Sequence, residues 1–206
     1  MSEIDRPQNN NKHYSADYAK MYVERTLSAP YTIYKSKLLA RVASDLGVHR
    51  VIDFGCNVHG SVKNEGSLRL QLERQGIDYV GIDLSPHYFR PLFLREHGVE
   101  EKDIYQDNKA VVGDITRSPI RSGVAEAIIC GDVIEHLENP GKGLREIARM
   151  LQIDGIALVV LPSLYKLDTV DYVHIEERRT SSHLEKSHID DWIRMCEDSG
   201  LVLDPT

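Results

Sequence analysis

Cysteine is scarce in this chain, 3 in 206 residues, and Cys56, Cys130 and Cys196 show no paired spacing. A disulfide framework is not expected, and a reducing setting is. No apolar run reaches the roughly 20 residues of a bilayer-spanning helix, and no signal-peptide pattern is present. The expected location is cytoplasmic, with no membrane partner. Cations are in deficit too: 25 Lys plus Arg face 32 Asp plus Glu, a formal charge of −7. Such a surface repels a phosphate backbone, so nucleic acid is disfavoured as a partner. The densest basic group is Lys35, Lys37 and Arg41, with Arg178 and Arg179 far away, and these read as solvated faces.

The glycine-rich turn Gly-x-Gly-x-x-Gly, which cradles a dinucleotide pyrophosphate, is also missing. A nicotinamide oxidoreductase would further need a Tyr-x-x-x-Lys pair. Of the pairs with that spacing, Tyr31 and Lys35 precede the first strand. Metal-site spacing is absent: among His174, Glu176, Glu177, His183, Glu185 and His188, the last two histidines do not share a helical face. No metal is expected.

What is present is a series of strands that end in acids. Val51-Ile52-Asp53-Phe54-Gly55 leads into a polar loop, Cys56-Asn57-Val58-His59-Gly60, and Tyr79-Val-Gly-Ile-Asp83-Leu84 follows. A strand, a glycine and a second strand closed by a carboxylate suit an open α/β sheet that binds adenosine, the acid accepting the ribose hydroxyls. Further strands are expected at 110–114, 125–130 and 156–161. Leu201-Val202-Leu203 reads as the start of a sixth. The stretch from Gly60 to Ser67 reads as an inserted loop. Leu68, Leu70 and Leu72 alternate as in a strand, yet a parallel crossover requires a helix there. Tyr14, Tyr18 and Tyr22 mark a first helix that ends near Pro30. A second, Tyr31 to about Leu46, is expected to turn Ile33, Leu38, Leu39, Val42 and Leu46 toward the sheet. Asn139-Pro140-Gly141 opens another, with Leu144, Ile147, Ala148 and Leu151 at helical spacing. Ser187 to Asp190 has the form of a capping box.

These segments resemble, in order, the motifs of the class I S-adenosylmethionine (SAM) dependent methyltransferases, in particular the small-molecule, ubiquinone-biosynthesis type. Asp53 to Gly60 resembles the first motif, with Asn57 and His59 at two of its glycine positions. Val111 to Ile115 resembles the third strand and its acid. Asp132-Val133-Ile134-Glu135-His136-Leu137 resembles the signature after the fourth strand. The resemblance covers roughly residues 49 to 205. It implies a doubly wound, mostly parallel Rossmann-like sheet. An Asn-rich tail (1–12) is expected to be disordered, a helical lid to span 13–47, and the SAM-binding domain 48–206. The family's antiparallel seventh strand finds no segment here, leaving a truncated chain, a missing segment or pairing by a partner as alternatives.

By the same resemblance, Asp53, Gly55, Cys56, Asn57 and Gly60 surround the methionine part of SAM. Asp83 holds the ribose, Leu84 packs beside the adenine, Asp114 takes the adenine amino group and Ile115 covers a ring face. Gly131, Asp132 and Val133 lie at the carboxyl edge, and His136 is the candidate proton acceptor. Glu135, His174, His183 and the tyrosines 14, 18 and 22 are candidate acceptor or lid contacts. The expected activity is methyl transfer to an amine or hydroxyl of a small molecule in specialised metabolism, by a monomer or homodimer. A catalytically idle SAM-fold scaffold or regulator, and a protein or tRNA acceptor, stand as alternatives.

Overall fold

The computed structural model describes residues 16–25, 28–161 and 189–202. The expected tail, Tyr14, Ser187, His174 and His183 lie outside the described residues. Five parallel strands form one sheet: β1 (Arg50–Phe54), β2 (Asp78–Asp83), β3 (Ala110–Val112), β4 (Ala125–Gly131) and β5 (Leu151–Val160), in the order β3-β2-β1-β4-β5. Among the described residues, six α-helices flank it: α1 (Ala16–Arg25), α2 (Pro30–Asp45), α3 (Leu68–Arg74), α4 (Pro91–Glu96), α5 (Pro140–Met150) and α6 (Ile189–Asp198). This is the doubly wound, Rossmann-like α/β architecture.

The alternation of strand residues decides which helix each one meets. Val51 of β1, with Ala127 and Ile129 of β4, packs against Leu39, Ala40 and Ala43 of α2 and Leu68 and Leu72 of α3. Ile52 and Phe54, with Ile128 and Cys130, face Leu144, Ile147 and Met150 of α5, and Trp192 and Cys196 of α6 pack beside them. Asp53 has the parity of Val51, so its carboxyl sits on the α2–α3 side of the sheet. A third cluster, Ala19, Val23, Val58, Val62, Tyr88, Leu94 and Ile104, joins α1 and α4 to the loop after β1.

Several expectations need correction. Leu38 and Leu46 are exposed, while Thr32 and Ser36 are buried with Leu39, Ala40 and Ala43. Small and hydroxyl-bearing residues thus fill most of the inner face of the helix. Leu151 is not the last residue of a helix: its backbone is already extended, and it pairs with Ala125 to open β5. Asp154, at φ +62, lies at an irregularity inside β5. β3 stops at Val112, so Asp114 lies beyond the strand. Leu201 and Val202 are not in a strand. The leucine-rich stretch after Ser67 is a helix, as the parallel β1–β2 pairing demands. Ser67 caps it, accepting from the Leu70 N–H. Gly60 to Ser67 includes a single antiparallel bridge, Val62 to Ile104.

Candidate active site

The strand order reverses at β1, which lies between β2 and β4, and open α/β sheets bind ligands at the carboxyl ends there. The chain leaves β1 through Gly55 at φ +82, and the Gly55 and Cys56 N–H groups donate to the Ile82 carbonyl at 2.8 and 2.9 Å. A Cβ on Gly55 would stand 2.5 Å from a Val133 methyl of the β4 loop. Only glycine lets the two loops approach this closely. Asn57 adopts φ +40, a left-handed backbone that asparagine tolerates. Its N–H donates to Asp83 Oδ2 at 2.8 Å, and the Ser85 N–H donates to Asp83 Oδ1 at 2.8 Å. The acid that ends β2 therefore fixes the shape of the loop after β1.

A narrow cleft of about 20 Å³ opens among these tips, lined by Lys35, Asp53, Gly55, Asn57, His59 and Gly131 together with Ser36, Leu39, Leu68 and Ile129. Asp53 is buried, and burial pushes its carboxyl up to about 7 despite a 2.9 Å hydrogen bond from the Tyr79 hydroxyl and the nearby charge of Lys35. Burial likewise raises the Asp83 carboxyl, against the pull of the amides it accepts from. The Cys56 thiol is buried beneath the loop and pushed well up by the same desolvation. His59 is held neutral, its pKa lowered to about 3 chiefly by burial and then by Lys35. The Leu68 N–H donates to His59 Nδ1 at 3.3 Å, which places the ring proton on Nε2. Tyr22 of α1 meets the His59 ring edge-on, with centroids 6.3 Å apart.

Of the residues expected from sequence, Asp53, Gly55, Asn57 and Gly131 are brought together around the cleft. Gly60 lines a separate cavity of about 120 Å³ with Ser61, Tyr105 and Asp107. Ile115 packs in the core with Ile82 and Phe54. Asp114 is exposed and accepts from the Thr116 N–H and hydroxyl, both at 2.8 Å. Leu84 is half-buried beside Asp83. Asp132 adopts φ +56 and donates its N–H to the Val160 carbonyl at 3.0 Å. Glu135 and His136 occupy a single 3-10 turn, with His136 Nε2 3.6 Å from Glu135 Oε1. Tyr18 lies on α1, but its side chain, like Tyr14 as a whole, is outside what the structure describes.

Two residues at the site were not singled out in the sequence. Lys35 is no solvated charge: its ammonium lies 2.6 Å from Asp132 Oδ2, with 14% of its side chain exposed. The signal was available, since Lys35 follows Thr32 by one turn on the inner face of α2. Arg69 is buried, donates to the Gly60 carbonyl at 2.9 Å and to Glu73 at 2.9 Å, pairs with Asp107 and stacks on Tyr105. It ties the end of the loop to α3 and to the segment before β3. A lone arginine in a helix carries no pattern that announces this.

A family model described as "Methyltransferase domain" matches residues 60–159. The ubiquinone biosynthesis O-methyltransferase of Xanthomonas oryzae pv. oryzae is 27% identical over 176 residues, 78% of this chain and 69% of that protein. The uncharacterized methyltransferase YcgJ of Bacillus subtilis is 26% identical over 171 residues, 80% of this chain; the chain spans 62% of that protein's length. The crystal structure of YcgJ has a TM-score of 0.56 at 24% identity, covering 81% of this chain and 68% of that one. Phosphoethanolamine N-methyltransferase 2 of Haemonchus contortus, in complex with SAM, has a TM-score of 0.60 at 15% identity over 92% of this chain and 42% of that one. At these identities the two structures speak for the fold alone. The motif order, the match to a methyltransferase domain and the relatives named as methyltransferases together support the class I SAM-dependent methyltransferase superfamily.

Proposed function

We propose that this chain transfers the methyl group of SAM to an amine or hydroxyl of a small molecule. The observation that supports this best is the set of three acids at or just past the ends of neighbouring strands, Asp53, Asp83 and Asp114, with the cation Lys35 near Asp53 and paired with Asp132. That donor set matches the chemistry of the family's cofactor. Glycine opens the cradle as well: a Cβ on Gly131 would meet only the Lys35 ammonium, at 3.7 Å. When bound, SAM supplies an electrophilic methyl group on a sulfonium. The protein's task is placement, which can lower a barrier by roughly 7–11 kcal/mol.

Asp83 would accept the ribose hydroxyls with the lone pairs its amide bonds leave, and Asp114 the adenine amino group. Leu84 and Ile115 would border the base. Asp53, with Gly55, Cys56, Asn57 and Gly60 shaping the loop, would face the ligand ammonium. Gly131, Asp132 and Val133 would form the wall opposite. Tyr22, edge-on to the cleft residue His59, would be the tyrosine placed to meet a cation. Tyr14, Tyr18, His174 and His183 remain candidates for the acceptor side. His136, beside Glu135, would accept the acceptor's proton.

Tritiated SAM incubated with a panel of small amines and phenols tests the activity. Label transferred to one chemical class supports it, and cofactor binding without transfer to any leaves the scaffold reading. Once an acceptor is found, His136→Gln is expected to lower kcat by about a hundredfold while leaving S-adenosylhomocysteine affinity unchanged. An unchanged kcat removes the base role.

The Asp53 carboxyl gives a pH dependence of definite sign. Its pKa of about 7 keeps it partly protonated near neutrality. A ligand ammonium favours the carboxylate, so affinity should rise from pH 6 to pH 8 and fall on acidification through 7. Calorimetry with S-adenosylhomocysteine should show a slope approaching tenfold per pH unit below pH 7. Asp53→Asn should flatten it.

A further inference from the structure

Lys35 and Asp132 are 97 positions apart, one on α2 and the other just past β4, yet they meet at 2.6 Å, next to Gly131 at the edge of the cleft that Lys35 lines. Both side chains are mostly shielded, with 14% and 23% exposed. The Asp132 backbone is fixed in a left-handed conformation and bonded to β5, while its carboxylate reaches back to the ammonium. Lys35 is also the only cation lining this cleft among the described residues, and its ammonium lies over Gly131. The cleft that Lys35 lines holds about 20 Å³ of free space, enough for about one water.

We infer that Lys35 is the anion-reading residue of this cleft, and that Asp132 is a built-in competitor for it. The Asp132 carboxylate stands where the carboxylate of an amino-acid-bearing ligand would pair, and that ligand enters by exchanging one Lys35–carboxylate pair for another. The exchange keeps the buried ammonium paired throughout, which matters because an unpaired charge in such a place is costly. It also releases Asp132 only after the first ligand is seated. Binding is then ordered: the amino-acid-bearing ligand first, the acceptor second, with the released Asp132 carboxylate facing an amine. The inference rests on SAM as that ligand, and it goes beyond that reading by naming the gate and the order.

Two probes separate the possibilities: S-adenosylhomocysteine, which carries the amino-acid carboxylate, and 5′-methylthioadenosine, which lacks it. Lys35→Met should weaken S-adenosylhomocysteine by about tenfold or more, the worth of a charged hydrogen bond, and leave methylthioadenosine within about twofold. Asp132→Asn should do the reverse of an ordinary contact mutation: it removes the competitor, so S-adenosylhomocysteine should bind several-fold tighter, with methylthioadenosine again unchanged. Asparagine suits the left-handed backbone at least as well as aspartate, so this variant should fold. Equal losses for both probes in Lys35→Met, or weaker S-adenosylhomocysteine binding in Asp132→Asn, would overturn the inference. If the unaltered protein binds neither probe, the cofactor reading itself fails.

Discussion

Asp83→Ala is expected to weaken S-adenosylhomocysteine binding by about a hundredfold, the largest effect of any single side-chain removal at the site. Two losses combine. The ribose loses a charged acceptor, worth about 1.5–3 kcal/mol. The Asn57 and Ser85 amides, each 2.8 Å from the carboxylate, lose their partner, and the left-handed turn at Asn57 loses what holds it. Asp83→Asn keeps an acceptor for one amide and should cost about tenfold. Calorimetry reads both. A loss in Asp83→Ala below about threefold would mean that the ligand does not reach the end of β2. Methylthioadenosine keeps the ribose, so it should be affected equally, in contrast to the Lys35 variant.

Gly55→Val is expected to prevent folding, and Gly55→Ala to cost about 3 kcal/mol or more in urea denaturation. The methyl of alanine would sit 2.5 Å from one Val133 methyl and 2.9 Å from the other. The backbone at φ +82 adds roughly 1–2 kcal/mol of left-handed strain for any residue with a Cβ. The two contributions can be separated. Val133→Ala in the Gly55→Ala background should recover the steric part and leave the backbone part. A Gly55→Ala cost below about 1 kcal/mol would show that the loops after β1 and β4 are not packed as described.

These two positions were also the most legible from sequence, for the same reason that they matter. A glycine and an acid at strand ends answer to backbone geometry, which a short motif records. Asn57 was legible too, because few residues accept a left-handed turn. Lys35 was not, because its role depends on a contact with Asp132 from another element, and a lysine among Lys37 and Arg41 looks like surface. Arg69 was hidden for a similar reason, its three polar partners and its stacking on Tyr105 being set by tertiary packing. The error at Leu38 and Leu46 has a different origin. Helical periodicity marks an apolar face, but the inside of α2 holds Thr32, Ser36, Ala40 and Ala43 beside Leu39, a set that hydrophobicity alone does not pick out. Leu151 was misplaced because its spacing continues the α5 stripe, although the extended backbone at that residue already belongs to β5. The strands β1 and β2 were placed within one residue, since each carries an acid at or next to its carboxyl end.

Titration calorimetry of the unaltered protein with S-adenosylhomocysteine is the most direct check. One saturable site per chain, weakened by Asp83→Ala, is the expected result. No heat of binding at millimolar ligand, or binding indifferent to Asp83, would contradict the claim that these strand ends hold an adenosyl ligand.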